Sequence, residues 1–265
     1  MATRIDEFII GVKPQREWGW LVITYLFLGG AGAGLFLISL YIDHAWAGAL
    51  GLLVVIFGTL LLFLDLGRPE RFWRAFSRPQ SSWISRGCFF ITFLVVFGGL
   101  YLASQFSVLG LGGGNLGIFA RAVAAAAAIL VMIYTGFVLS PSPAIPFWNS
   151  AFFPVIFFVY SLLAGIDILL LSSPLLPGSA LDLASLERLQ NYLAVACLLL
   201  VLSHLSVMSS SAVAAREAIH LLTRGRWALL FLGGVIVAGL GLPLVLSWTA
   251  LSGSQAQTVF AFTVV

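Results

Sequence analysis

The sequence predicts an all-α, polytopic membrane protein, and three observations carry that prediction. Hydrophobic residues make up 61% of the 265-residue chain and charged residues only 9%, against about 25% charged in a soluble domain. Mean hydropathy is +1.08. Seven segments reach the about 20 apolar residues that a spanning helix needs: roughly 20–42, 45–66, 83–104, 117–139, 148–171, 188–210 and 227–250. Too few charges exist to cover a water-exposed surface. The expected surroundings are therefore a lipid bilayer, and no nucleic-acid partner is expected.

The N-terminal stretch Met1–Glu17 is mixed and polar. It lacks the basic start, short apolar centre and small-residue cleavage site of a signal peptide, so the first span is expected to be retained. That span carries Gly29-Gly30-Ala31-Gly32-Ala33-Gly34. Such runs let helix backbones approach closely in lipid. They also admit a flat ligand, which keeps Gly30 as a candidate contact. Asp43 and His44 form the turn into the second span, which ends at Asp65 because Arg68-Pro69 disfavours helical geometry. Pro69 to Arg78 reads as an interfacial helix, with Arg71, Arg74 and Arg78 on one face and Phe72, Trp73 and Phe76 nearby.

Gly110–Gly117 is a glycine-rich link before the fourth span. The prolines of Ser140–Pro146 exclude helix there. Ser172-Ser173-Pro174 and Pro177-Gly178 end the fifth span. Asp182 and Glu187 are expected in a solvated loop before the sixth. Pro243 is expected to kink the seventh span. An eighth apolar stretch begins near Gln257 and stops at Val265, so an eighth span is absent or truncated. Tyr25–Gly30 echoes Tyr160–Gly165, two spans that run the same way, which suggests related halves. The expected division is a first bundle over 18–140 and a second over 147–265.

Alternation places the N-terminus and the loops after spans two, four and six on one side. That side holds Arg4, Lys13, Arg16, Arg68, Arg71, Arg74, Arg78, Arg86, Arg216, Arg224 and Arg226; the other holds Arg121 and Arg188. The positive-inside rule makes the basic side, with the N-terminus, cytoplasmic. Basic loops also suit docking of a protein partner.

Few residues can carry chemistry. Asp65 is an acid at a membrane boundary. It is read either as a proton carrier or as an ion-pair partner of Arg68 or Arg86. Asp167 lies deep in the fifth span and His204 within the sixth, both as candidates for a proton path or as bonded core groups. Tyr25, following Trp18 and Trp20, and Tyr134 stand at similar depth on the basic side. They suit hydrogen bonds to a quinone headgroup, or an interfacial aromatic belt. Cys88 and Cys197 read as small buried hydrophobes. With no Cys-x-x-Cys and only one histidine well inside a span, neither an iron–sulfur cluster nor haem is expected in this chain, and no metal site.

Leu64-Asp-Leu-Gly-Arg-Pro69, then Arg71-Phe-Trp-Arg74, then Ser81-Ser-Trp-Ile-Ser-Arg-Gly87 resemble the NrfD-type membrane subunit of polysulfide reductase and related complexes. Tyr25–Gly30 and Pro146-Phe-Trp-Asn149 are similar to the same family's first span and fifth-helix start. The likeness is clear over 18 to about 165. It implies two four-helix bundles that exchange electrons between menaquinone or ubiquinone and a docked ferredoxin-like iron–sulfur subunit, backed by a molybdopterin catalytic subunit. By resemblance, Tyr25 and Tyr134 line the quinone pocket, and Trp20 and Gly30 are expected beside them from their place in the first span. By the same resemblance Asp65 takes a role in proton movement, so Asp65 and Tyr25 are the expected catalytic residues, while Arg86, Asp167 and His204 are expected on the proton path from their own positions in the sequence. Arg68, Arg71, Trp73, Arg74 and Arg78 dock the partner. An asparagine found in some relatives falls near Val22 and is missing. Several family members carry their partners on the outer face, whereas the charge count here puts the pocket side inward. The rival expectation is a transporter-like subunit that moves ions through Asp65, Asp167 and His204.

Overall fold

The computed structural model describes residues 18–107, 114–142, 144–178 and 181–250, without the side chains of 247–250. The expectations for Met1–Glu17, for the first half (110–113) of the Gly110–Gly117 link and for the stretch from Gln257 lie outside the described residues. Among those described, every regular element is helical, and seven helices are long and apolar enough to cross a membrane. The chain is an integral multi-pass membrane protein.

The helices are α1 (Trp20–Tyr41), α2 (Ala45–Asp65), α3 (Trp83–Gln105), α4 (Asn115–Leu139), α5 (Phe153–Ser172), α6 (Leu183–Ser209), α7 (Val213–Thr223) and α8 (Leu242–Ala250). Several boundaries differ from expectation for identifiable reasons. α5 starts at Phe153 rather than near 148, with Pro154 in its first turn, where a missing N–H costs nothing. α6 starts five residues early because Asp182 is its N-cap, accepting from the Ser185 amide at 3.2 Å. Asp182 and Glu187 therefore belong to the helix start and not to a loop. The short helix α7 in the next connection was not expected. The seventh span is a wide i→i+5 winding over Leu229–Gly241 that gives way to α8 just before Pro243. Proline lacks an N–H and crowds the carbonyl a turn back, and the wider winding accommodates it.

The segment after α2, Pro69–Phe76, is a 3₁₀ helix rather than an α-helix. Arg71 and Arg74 therefore stack one above the other at three residues per turn. Arg78 lies beyond the helix end.

Small residues set the helix register. A β-carbon at Gly32 would sit 2.7 Å from the Gly51 carbonyl oxygen, and one at Gly58 would sit 3.0 Å from the β-carbon of Leu28. Thus α1 and α2 lie antiparallel at near backbone contact. Gly34 faces Ser161 and Gly165 faces Leu35, so α1 and α5 run parallel. Close packing of backbones replaces the hydrophobic drive that lipid removes.

Two cores result. One joins α1–α4 around Phe36, Leu94, Val131 and Met132. The other joins the outer half of α1 with Ala47, α5, α6 and Leu240 around Leu35, Ile166 and Leu169. α1 serves both. Leu53, Phe57, Phe93, Ile118 and Leu199 are exposed and face outward, as lipid contact requires. His44 caps α2, its Nδ1 accepting from the Ala47 amide at 3.2 Å.

Candidate functional site

Antiparallel packing of α1 on α4 brings Tyr25 and Tyr134 together. Each stands five residues, about 8 Å, from its helix end. Both rings are buried, at 7% and 4% exposure, and the two hydroxyls hydrogen-bond each other. The pair thus lies inside the first core rather than in a surface aromatic belt.

The motif at the start of α3 packs against this pair. Gly87 packs directly on the Tyr134 ring, where a β-carbon would collide with it. Phe90 meets the same ring edge-on at 6.5 Å. The Cys88 thiol lies within electrostatic reach of both hydroxyls. Cys88 is only half-buried and is a neighbour of the pair that composition alone did not single out. Its position directly after Gly87 was the available signal.

The preceding residues clamp the surface segment to α3. Ser82 caps α3. The Ser85 hydroxyl donates to the Ala75 carbonyl and accepts from the Arg78 amide at 3.4 Å. Arg86 donates to the Pro79 and Gln80 carbonyls at 2.8 and 2.7 Å and lies over the Trp83 ring at 4.3 Å. Trp83 in turn stacks on Phe137 of α4 at 4.5 Å. Arg86 is thereby committed to backbone carbonyls and forms no ion pair with Asp65.

Asp65 closes α2, exposed, with no ion pair to Arg68 among the described residues. Gly58 of α2 is level with the Tyr25 carbonyl, 3.4 Å from where its β-carbon would sit. Asp65 is seven residues further on, about 10 Å along the axis and two turns nearer the surface. Trp20 is 69% exposed at the start of α1. The space beside Gly30 is taken by Ser161 of α5. Arg68, Arg71, Arg74 and Arg78 are all exposed beside Trp73, which is 65% exposed and meets the Arg74 guanidinium at 5.5 Å.

The remaining candidates lie on α5 and α6. His204 lies between Phe147 and Phe153, with Nε2 3.1 Å from the Phe147 carbonyl and Nδ1 without a partner among the described residues. Asp167 accepts from Gln190 Nε2 at 2.6 Å. It sits five residues from the far end of α5, on the opposite side of the molecule from the tyrosine pair. No group of three or more His, Cys, Asp or Glu side chains converges among the described residues.

A family model for polysulphide reductase, NrfD, matches residues 10–264. The C subunit of polysulfide reductase from Wolinella succinogenes is 30% identical over 263 aligned residues, covering 87% of the present sequence and 82% of that protein. Protein NrfD of Escherichia coli is 29% identical and covers 58% of the present sequence and 59% of its own. A NrfD homolog of Haemophilus influenzae is 24% identical, covering 88% and 83%.

Proposed function

The chain belongs to the NrfD polysulphide reductase family, and from that premise we propose that it is the quinone-reactive membrane subunit of a respiratory oxidoreductase complex. It exchanges electrons between menaquinone or ubiquinone and a docked ferredoxin-like iron–sulfur subunit, behind which a molybdopterin subunit acts on the final substrate. The observation that carries this reading is the buried, mutually hydrogen-bonded pair Tyr25–Tyr134.

Two phenols bonded to each other inside an apolar core satisfy one another at rest. Each also can turn its O–H toward an inserted carbonyl, so the pair presents two donors to a headgroup. A quinone supplies two-electron, two-proton chemistry when bound. The tyrosines orient the headgroup and hold the protons at its oxygens. Asp65, exposed about two turns further out, accepts protons relayed by water and passes them to the surface. Arg68, Arg71, Trp73, Arg74 and Arg78 form a cationic and aromatic surface that receives the iron–sulfur subunit. Arg68, Arg71, Arg74, Arg78, Arg86, Arg216, Arg224 and Arg226 share the tyrosine side, against Arg121 and Arg188 opposite. This supports placement in the inner membrane with that side and the N-terminus cytoplasmic.

The test is quinol turnover by the purified complex. Tyr25→Phe and Tyr134→Phe are each expected to lower it about 100-fold, with Asp65→Asn slowing the proton-coupled step. Alkylation of Cys88 by N-ethylmaleimide is expected to slow when quinone is bound. Wild-type turnover in both tyrosine variants sinks the assignment.

A further inference from the structure

A large groove lies at the opposite membrane face from the tyrosine pair. Its volume is about 1590 Å³, larger than the about 300–1,000 Å³ of small-ligand pockets. One wall comes from α1 and α4, through Leu37 and Ala125, and the other from α6, through Leu189. Leu162 of α5 forms the floor, so the groove follows the seam between the two cores.

Charges of both signs gather at its mouth. Arg121 donates to the Leu40 carbonyl and pairs with Asp43 at 2.8 Å. Arg188 bonds the neutral Ser185 hydroxyl at 2.8 Å and has no carboxylate within ion-pair range among the described residues. Asp182, which caps α6 beside it, is exposed and keeps a carboxylate at the mouth. α6 has 27 residues, about 40 Å, which exceeds the about 30 Å hydrocarbon core. Its first turns therefore stand in the headgroup layer. Tyr41 and Tyr192, at 85% and 73% exposure, flank the mouth as interfacial residues do.

We propose that this groove holds a zwitterionic glycerophospholipid of the phosphatidylethanolamine class. The Arg188 guanidinium takes the phosphate, since a planar fork of donors matches its oxygens. The Asp182 carboxylate takes the ammonium. Acyl chain fills the apolar seam along Leu37, Ala125, Leu162 and Leu189. The occupied groove seals two cores that otherwise meet across an open trough.

The test is native mass spectrometry of the full-length protein in detergent, titrated with dioleoyl phosphatidylethanolamine, dioleoyl phosphatidylglycerol and dioleoylglycerol. Phosphatidylethanolamine is expected to bind about tenfold more tightly than dioleoylglycerol, and Arg188→Gln to remove that advantage. Asp182→Asn keeps the cap, because asparagine caps as well as aspartate. It is expected to erase the preference for phosphatidylethanolamine over phosphatidylglycerol while leaving binding of the latter intact. Equal retention of the three lipids by the wild-type protein overturns the proposal, and that arm needs no variant to fold. Displacement of the lipid by ubiquinone or by a second copy of the protein, or unchanged headgroup ranking in Arg188→Gln, overturns it as well.

Discussion

At the residue scale, the tyrosine pair depends on a missing side chain. Gly87 leaves the space that the Tyr134 ring occupies, and any β-carbon there collides with it. Gly87→Ala is therefore expected to destabilise the protein by about 1–3 kcal/mol, as overpacking does, and to lower quinol turnover by displacing Tyr134. Gly99 on the same helix has nothing within 4 Å of its would-be β-carbon. Gly99→Ala is expected to be neutral or to stabilise by about 1 kcal/mol. Thermal unfolding of both variants in detergent separates the two effects; equal melting temperatures would contradict the packing argument. The sequence drew attention to Tyr25 and Tyr134 through their similar depth. It did not show that their hydroxyls meet, because that contact spans 109 residues of chain.

At the element scale, the basic surface segment is held by α3 and not by its own helicity. A 3₁₀ helix of eight residues has little stability alone. Ser85 bonds the Ala75 carbonyl within it, and Arg86 holds the Pro79 and Gln80 carbonyls of the turn that follows it. Arg86→Ala is expected to release the segment, so that trypsin cuts after Arg74 or Arg78 several-fold faster, while the spans stay folded by circular dichroism. Cleavage at the wild-type rate would show that the Ser85 bond and the Phe63–Phe72 and Phe76–Phe89 ring contacts, at 5.6 and 5.3 Å, hold it without Arg86.

The start of α6 makes a pH prediction. Hydrogen bonds from the Ser185 side chain and amide hold the Asp182 carboxyl below the ordinary aspartate value. A lowered folded-state value means that the cap is complete above the unfolded pKa, about 3.9. It is lost as pH falls through the lower folded value. Hydrogen-exchange protection of the first α6 turn is expected to be constant down to about pH 4 and to fall below it. Asp182→Asn is expected to remove that dependence. The helix boundary was missed in the sequence because Asp182 and Glu187 look like solvated loop residues, whereas a long helix in a membrane protein extends past the hydrocarbon and carries such residues in the headgroup layer.

At the scale of the whole molecule, α1 is the shared wall of both cores, and its glycines decide how near α5 approaches. Gly165 of α5 lies against the Leu35 backbone. Gly165→Val is expected to push the two cores apart and to cost more than an ordinary overpacked side chain, because backbone has no rotamer to yield. Loss of a single cooperative melting transition in detergent would register it; an unchanged transition would mean that α1 does not join the cores.

The sequence by itself determined the class, the seven spans, the sidedness of the arginines and the family motifs. Each of these rests on hydropathy over about 20 residues or on a contiguous run, and such local features need no partner to be read. Only the tertiary structure decided that Tyr25 and Tyr134 bond each other, that Arg86 clamps carbonyls rather than pairing with Asp65, and that Asp167 lies at the opposite face with Gln190. Side-chain direction around a helix that is apolar on every face carries almost no amphipathic signal. Which side of each span meets which neighbour is fixed by close backbone approach at glycines, and that approach exists only once the helices are assembled.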